Sequence, residues 1–275
     1  MADTTTAAPS AAPAGARVSI RAVERDFAAD SGVVHALGPI DLEVRESEFL
    51  CIVGPSGCGK STLLRILAGL LNPTRGRVEL VHRDPTRPLT SVVFQDHSVL
   101  PWKSVEANVR YGLDLRGDLD RAGRRARARH YVKMLGLEGF ESAFPDALSG
   151  GMRQRVAIGR AMAVEPEILL MDEPFAALDA QMRTVLQDDL VDLWESDRRT
   201  VIFITHSIEE ALFLGDRVIV MSNRPGTIRA EIDVPFPRPR RHDLRGSADF
   251  AALHEEIWEI LRVEVDAYLQ RSGPA

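Results

Sequence analysis

The stretch Phe49-Leu-Cys-Ile-Val53, followed by Gly54-Pro-Ser-Gly-Cys-Gly59-Lys60-Ser61, decides the fold of this chain. Its first part is a continuous apolar run, which is the pattern of a strand covered on both faces of a sheet. Its second part fits the pattern G-x-x-x-x-G-K-[ST], and residues 62–68 continue it as a helix that ends near Gly69. The strand, the loop and the helix together predict a phosphate-binding loop.

The glycine-rich loop has the features needed to hold a nucleoside triphosphate. Glycines allow the backbone N–H groups to wrap closely around phosphates, and the N-terminus of the following helix adds positive potential. Lys60 would reach the β- and γ-phosphates, and Ser61 would ligate Mg²⁺. A chance match in a glycine-rich turn is the alternative, and the flanking strand and helix argue against it. The expected phosphate-binding residues are Gly54, Pro55, Ser56, Gly57, Cys58, Gly59, Lys60, Ser61 and Thr62.

Three further apolar runs predict the rest of the central sheet. They cover residues 168–171, 201–204 and, more weakly, 218–221. Helical segments lie between them, which favours a parallel sheet with helical crossovers. Residues 18–23 and 41–44 instead alternate apolar and polar side chains, as half-buried antiparallel strands do. The predicted fold class is therefore α/β, with a parallel core sheet and an antiparallel β-subdomain at the N-terminus.

The length of 275 residues suits one domain with additions rather than two separate domains. Residues 1–16 are rich in Ala, Thr and Pro and predict a disordered tail. Residues 17–235 would form the main domain, in which about 98–150 lacks a buried strand and predicts an inserted helical subdomain. Residues 236–275 begin with a polyproline-like linker and end in an amphipathic helix. The apolar positions of that helix are Phe250, Leu253, Ile257, Leu261 and Val265.

Composition and charge exclude several classes of protein. Hydrophobic residues at 45% and charged residues at 27% match an ordinary globular chain, and a net charge of −6 argues against a nucleic-acid-coating role. No apolar stretch approaches the roughly 18 residues needed to cross a bilayer, and the N-terminus lacks the apolar core of a signal peptide. Cys51 and Cys58 lie in an apolar run and a glycine-rich loop, which indicates a reducing compartment rather than a disulfide framework.

An acidic pair follows the second apolar run. Asp172 stands at the carboxyl end of a predicted parallel strand, where an aspartate associated with Mg²⁺ belongs in a phosphate-loop protein. Glu173 is placed to orient or deprotonate an attacking water. The alternative is that two acidic residues merely end a strand, and the phosphate loop in the same domain argues against it.

A second glycine-containing motif is Leu148-Ser-Gly-Gly-Met-Arg-Gln-Arg155. Ser149 is a good N-cap residue. With Gly150 and Gly151 it opens a helix whose N–H groups and dipole can receive a γ-phosphate. A plain capped helix is the alternative at this motif.

Together with Gln95, Asp179 and His206, this motif resembles the signature of the ABC ATPases, in which LSGGQ is frequent and Met152 here replaces the glutamine. The resemblance covers roughly residues 18–237, with the family's motifs in the family's order. It implies an ATP hydrolase that energises transmembrane transport. In that family two subunits pack head to tail, and the signature of one closes on ATP held by the other. The resemblance therefore implies a homodimer, or a pair with a similar subunit.

The resemblance also implies roles for single residues. Gln95 would sense Mg²⁺ and water, which makes it a metal-site residue beside Ser61 and Asp172. His206 would contact the γ-phosphate, and Asp179 would cross the dimer interface. The catalytic residues expected on this basis are Glu173, His206, Lys60 and Gln95.

Two positions differ from the usual family pattern. Phe27 resembles the aromatic residue that stacks on adenine, where tyrosine is more usual. The alternative is a core phenylalanine of the N-terminal hairpin. Ser47 stands where glycine usually precedes Glu48, and this puts only the local turn in doubt.

The segment 95–102 is similar to that of ATPases serving nitrate, sulfonate and taurine importers. This implies uptake of a small anionic solute, permease subunits, a solute-binding protein and a place on the cytoplasmic face of the membrane. Leu100 and Trp102 either line a groove for the permease or pack inside the helical lobe. Residues 121–130 are interpreted as a solvated helix face. Residues 238–245 are interpreted as a linker, with contact to anionic lipid as the alternative.

Three other functions compete with an importer ATPase. A DNA-repair or chromosome ATPase would need a long coiled coil between the two motifs, and the 89 positions between Lys60 and Ser149 leave no space for one. An export or lipid-trafficking subunit would share every catalytic residue. A regulator clamped by ATP without turnover would not need Glu173.

Overall fold

Two β-sheets form the frame of the protein. The computed structural model describes residues 15–30, 32–96, 98–176 and 178–271, with side chains as far as Glu264. The predicted disordered tail lies outside these residues except at its end, where Gly15 forms a turn and Ala16 begins the first strand. The first strand therefore starts one residue before the predicted boundary.

The smaller sheet is antiparallel, as predicted, and has the strand order β2-β1-β4. Its strands are β1 (Ala16–Ala29), β2 (Gly32–Arg45) and β4 (Arg75–Leu80). The predicted strands 18–23 and 41–44 are the parts of β1 and β2 whose alternating side chains reach the core. Residues 24–29 of β1 and 32–35 of β2 are partly or fully exposed and carry no alternating signal, which is why they were missed. Residues 36–40 of β2 were also missed, although Ala36, Leu37 and Ile40 are buried.

The larger sheet has six strands in the order β5-β6-β7-β3-β8-β9. The first five are parallel, which confirms the predicted core, and β9 adds an antiparallel edge that was not predicted. Every residue of β3, β6, β7 and β8 is buried, in agreement with their apolar runs. The strands are β3 (Phe49–Val53), β5 (Thr90–Val93), β6 (Ile168–Asp172), β7 (Thr200–Ile204), β8 (Arg217–Met221) and β9 (Ile228–Asp233).

Seven α-helices cover or extend the sheets in the described part of the chain. Between residues 98 and 150 the described residues contain helices and a short 3-10 turn at Pro145–Ala147, but no strand. The two helices of this region pack on each other and on the helix that follows them. The helices are α1 (Lys60–Leu67), α2 (Val105–Leu115), α3 (Arg121–Met134), α4 (Gly150–Ala163), α5 (Ala180–Ser196), α6 (Ile208–Leu214) and α7 (Ala248–Arg271).

The C-terminal helix α7 packs on the core, as its apolar spacing predicts. Phe250, Ile257 and Leu261 are buried in the same cluster as the central strands, and Leu253 is partly buried against it. The side chain of Val265 lies outside the described residues.

The basic residues before α7 correct an expectation. Arg238 and Arg240 lie in the segment that joins β9 to α7, and neither is available for contact with lipid, because both guanidinium groups are buried against the end of α6. Arg238 pairs with Asp216 at 2.8 Å, and Arg240 donates to the carbonyl oxygens of Leu212 and Phe213. This segment is therefore part of the packed structure.

The Arg-rich stretch of α3 forms the helix face that was predicted, and it is partly paired. Arg125 and Arg129 contact the Glu106 carboxylate of α2 at 3.0 and 2.9 Å, while their own side chains stay more than half exposed. The Glu106 side chain is only 10% exposed, whereas the arginine ends of both pairs are in solvent, which weakens each pair.

The structure also describes the two cysteines, the turn at Ser47 and the exposure of Trp102. Cys51 and Cys58 are buried free thiols. Ser47 has a φ of 57°, so the turn keeps the left-handed backbone that a glycine would favour. Trp102 is 70% exposed, so the alternative that it packs inside the helical lobe is wrong.

Candidate active site

The site forms where three neighbouring parallel strands end. In the sheet, β6, β7 and β3 lie side by side, so their carboxyl ends reach the same edge. The glycine-rich loop follows β3, the acidic pair ends β6, and His206 comes two residues after β7. A crevice outside the carboxyl ends of parallel strands is the usual ligand site of an open α/β sheet.

The loop between β3 and α1 depends on its glycines. Gly57 and Gly59 have φ values of 75° and 108°, which side-chain-bearing residues rarely adopt. A Cβ atom on Gly59 would also lie 2.5 Å from Leu37 Cδ2 and 2.9 Å from the Ala36 oxygen. Among the described residues no side chain caps the N-terminus of α1, so its first backbone N–H groups stay available to an anion.

Lys60 places its ammonium group at the mouth of the loop. Nζ donates to the carbonyl oxygens of Gly54 at 2.8 Å and Pro55 at 3.0 Å, and the residue is 5% exposed. A buried ammonium with flexible reach is a suitable point charge for phosphate oxygens.

A hydrogen bond between Ser61 and Asp172 links the phosphate loop to the end of β6. Ser61 Oγ donates to Asp172 Oδ1 at 2.9 Å. Burial raises the pKa of the Asp172 carboxyl, the hydrogen bond from Ser61 opposes this rise, and the charge of Glu173 adds to it. A hydroxyl and a carboxylate are the hard oxygen donors that Mg²⁺ prefers, so this pair fits a magnesium ion.

Glu173 is the point where three segments meet. Its Oε2 atom accepts a hydrogen bond from Gln95 Nε2 at 3.2 Å and lies 3.1 Å from His206 Nδ1. Its backbone has a φ of 46° and its N–H donates to the Ile204 oxygen at 2.9 Å. The strained backbone is held by the neighbouring strand, as is common where a side chain must be aimed into a reaction site.

Lys60, Ser61, Gln95 and Glu173 border a cleft of about 510 Å³, and Asp172 and His206 lie behind them, bonded to Ser61 and Glu173. One wall carries Phe27, Val34 and Ala36 of the antiparallel sheet, and Phe27 is 36% exposed. Phe27 is therefore not a core residue of the hairpin, and its ring borders the cleft with the Arg25 guanidinium carbon 4.6 Å from the ring centroid. The opposite side carries the loop and catalytic candidates Ser56, Gly57, Gly59, Lys60, Ser61, Thr62, Gln95 and Glu173.

The second glycine-containing motif lies apart from this cleft. Ser149 caps α4, with Oγ accepting from the Met152 N–H at 3.3 Å, and the following Gly150 and Gly151 form the first turn. Asp179 likewise caps α5, with Oδ1 accepting from the Met182 N–H at 2.9 Å. None of Ser149, Gly150, Gly151 and Asp179 is among the described residues that line the cleft. Within one chain, the phosphate loop and the capped helix α4 do not share a site.

Three of the described residues that line the cleft, Val34, Ala36 and Arg224, were not predicted, and Arg224 is the charged one. Arg224 lines it, and its Nε and Nη2 atoms donate to the Gly57 oxygen at 3.3 and 3.1 Å. The only sequence signal was an Arg-Pro-Gly turn after a buried strand, which marks a turn but gives no indication of a site.

A phosphate loop, an acidic pair and a histidine at three adjacent strand ends define a P-loop nucleoside-triphosphatase. The comparison with protein families makes the class specific, because the ABC transporter family matches residues 37–176. The chain belongs to the ATP-binding subunits of this family and is an ABC-type ATPase, which couples ATP hydrolysis to transport.

Similar proteins and structures agree with this membership. The taurine import ATP-binding protein TauB of Rhizobium johnstonii is 48% identical, over 87% of this chain and 94% of its own length. The nitrate import ATP-binding protein NrtD of a Synechocystis species is 41% identical, over 89% and 95%. A dimeric ATP-binding cassette solved in a post-hydrolysis state with ADP and Pi superposes with a TM-score of 0.71 at 34% identity, covering 80% of this chain and all of that one.

None of the described helices combines the length and the apolar character needed to cross a bilayer.

Proposed function

We propose that the chain is the ATP-binding and hydrolysing subunit of an ABC importer, and that each of its catalytic sites is completed by a second subunit. The observation that carries this proposal is the meeting of Gln95 and His206 on one oxygen of Glu173, beside the phosphate loop. Such a set can hold a water molecule and accept its proton, which a simple nucleotide clamp does not need.

The residues of the phosphate loop and the residues that would hold Mg²⁺ have separate roles in this proposal. Lys60 and the backbone N–H groups of the loop, with Thr62 at its end, bind the phosphates of ATP. Ser61, Asp172 and Gln95 would hold Mg²⁺, which would neutralise charge on the transferred phosphoryl group. Phe27 stacks on the adenine ring from the wall of the cleft.

Hydrolysis is assigned to Glu173 as the base that orients and deprotonates water. His206 contacts the γ-phosphate, and Gln95 holds the Glu173 carboxylate in place until substrate is bound. The contacts already made at Glu173 Oε2 support this assignment, because they restrict the rotation of the carboxylate.

A dimer supplies the part of the site that one chain lacks. The uncapped loop and the α4 terminus both suit phosphate, yet Ser149 is not in the cleft of its own chain. We propose that Ser149, Gly150 and Gly151 of a second copy close on ATP, and that Asp179 lies at the boundary. The dimeric cassette of similar fold supports this arrangement.

The partners and the transported solute belong to the same proposal. Permease subunits would dock where Trp102 is exposed, near Leu100, and would hold the protein at the cytoplasmic face of the membrane. The names of the taurine and nitrate relatives support a small anionic solute such as nitrate, sulfonate or taurine, delivered by a solute-binding protein. The proposed division is an ATPase domain at 17–235, with a helical lobe at about 98–150, and an extension at 236–275.

The test is a comparison of Glu173→Gln with wild type. The variant should hydrolyse ATP at least about 100-fold more slowly, because the base is lost, while it still binds ATP. ATP-bound dimers should then accumulate, and size-exclusion chromatography with ATP would detect them. Glu255→Gln, at an exposed position on α7, is the matched control and should keep wild-type activity. Full turnover by Glu173→Gln would refute the assignment of the base.

A further inference from the structure

The loop between β8 and β9, residues 222–227, touches two walls of the ATP cleft. The Gly226 N–H donates to the Ala36 oxygen at 3.0 Å, and the Gly226 oxygen accepts from the Gly38 N–H at 3.0 Å. A Cβ atom on Gly226 would lie 2.0 Å from the Cys58 oxygen, so only glycine fits there. The β8–β9 loop therefore packs its backbone against both β2 and the phosphate loop.

Arg224 extends from this loop to the phosphate loop. Its Nε and Nη2 atoms donate to the same Gly57 oxygen, at 3.3 and 3.1 Å. Because a peptide group is planar, holding the Gly57 carbonyl also fixes the direction of the Cys58 N–H. Among the described residues, the Gly57 oxygen is the only hydrogen-bond acceptor of this guanidinium, so its other N–H groups are open to solvent or to a ligand in the cleft.

The β8–β9 loop is itself anchored by the C-terminal helix. Glu264 of α7 is 7% exposed, and its Oε2 accepts from the Asn223 N–H at 2.9 Å. Its Oε1 accepts from Arg229 Nε at 2.6 Å, and its backbone oxygen accepts from the Asn223 amide. A buried carboxylate with a charged donor on one oxygen and a backbone N–H on the other is a firm anchor.

We propose that Arg224 is a positioning residue for ATP. It holds the peptide unit at Gly57 in the conformation that binds phosphate, adds positive charge beside the triphosphate, and is itself held by Glu264 through Asn223. The inference rests on the proposed function, since it takes ATP as the occupant of the cleft. Through Glu264, the C-terminal extension contributes to the affinity for nucleotide.

The experiment measures steady-state ATP hydrolysis and ATP binding by the full chain. Arg224→Ala should raise KM for ATP about tenfold, because a charge-assisted contact to the phosphate loop is lost, and should leave kcat within about twofold. Arg224→Lys should recover part of the affinity, since lysine keeps the charge but not the two-pronged contact. Arg262→Ala, an exposed arginine on α7, is the control and should match wild type. Should Arg224→Ala fold poorly, Arg224→Gln tests the same loss of charge with a shorter side chain that stays polar.

A double-mutant cycle tests the link to α7. Glu264→Ala alone should raise KM for ATP about threefold, and it should add little in the Arg224→Ala background, because both changes disturb one contact. An unchanged KM in Arg224→Ala, or a fall in kcat and melting temperature without a rise in KM, would overturn the proposal. Calorimetric titration of wild type with Mg-ATP distinguishes failure of this inference from failure of the proposed function. A wild type that binds ATP without hydrolysing it would refute the proposed function but not the role of Arg224.

Discussion

At the residue scale, Ser149 caps α4, and in the proposed dimer it would also meet the γ-phosphate of the partner site. Its Oγ already accepts the Met152 N–H and so caps α4. An N-cap leaves other N–H groups of the first turn directed outward, where a phosphate of a neighbouring chain could meet them. Capping and phosphate contact can be separated experimentally, because they respond differently to charge.

Ser149→Asp should separate these two roles. Aspartate caps a helix as well as serine does, so the free energy of unfolding should be preserved. The added carboxylate would repel the γ-phosphate of the partner site, so ATP hydrolysis and ATP-dependent dimers should be lost. Ser149→Ala is the matched variant and should cost about 1 kcal/mol of stability through the missing cap. Urea unfolding and ATPase assays measure both effects, and wild-type turnover by Ser149→Asp would place the γ-phosphate elsewhere.

The residues of the cleft differ in how well the sequence could predict them. Lys60, Ser61 and the acidic pair were predicted because each stands in a local motif at the end of a buried strand. Arg224 was missed because its contact with Gly57 joins positions 167 apart, and no local pattern signals such a contact. Site residues that stand in a local motif can be predicted from the sequence, whereas a contact between two distant loops is seen only in the structure.

At the element scale, α6 depends on a buried arginine for its C-terminal end. Arg240 Nη1 donates to the carbonyl oxygens of Leu212, Phe213 and Gly215, which the helix itself leaves without partners. Burial lowers the pKa of Arg240 to about 10, so the side chain is still charged at neutral pH and complements the negative end of the helix dipole.

Arg240→Ala should therefore destabilise the protein by about 2–4 kcal/mol, because several buried carbonyl groups lose a charged donor. The neighbouring exposed Arg241 is a matched control, and Arg241→Ala should change the free energy of unfolding by less than about 0.5 kcal/mol. Urea denaturation followed by circular dichroism compares the two. Equal stability of both variants would mean that water replaces the guanidinium without cost.

The strands that the sequence predicted best are those whose burial requires an apolar composition. The runs at β3, β6 and β7 were recognised because both faces of these strands are covered and must be apolar. The edge strand β9 alternates between partly buried and exposed residues over only six positions, a weaker signal that was overlooked. The segment before α7 was interpreted as a linker because Pro and Arg dominate its composition, although Arg240 is buried.

At the scale of the whole molecule, the phosphate loop and the N-terminus of α4 lie at separate places on one chain. The chain carries a phosphate loop and a capped helix terminus that both suit phosphate, but they do not face one cleft. Two copies related by a two-fold axis would bring each loop opposite the other copy's α4, because such an interface pairs the same surfaces reciprocally. Each complete site would then contain Lys60 of one subunit and Ser149 of the other.

This division predicts that two inactive variants restore activity when mixed. Lys60→Ala and Ser149→Asp should each be inactive as homodimers, since every site carries a defect. In a mixed dimer both defects fall in one site, and the other site combines an intact Lys60 with an intact Ser149. An equal mixture should recover about a quarter of the wild-type rate, because half of the dimers are mixed and each has one good site. Recovery should also increase with total protein concentration, as dimer formation requires. If the mixture stays inactive at concentrations where wild type is fully active, each chain must carry its own complete site and the shared-site arrangement is wrong.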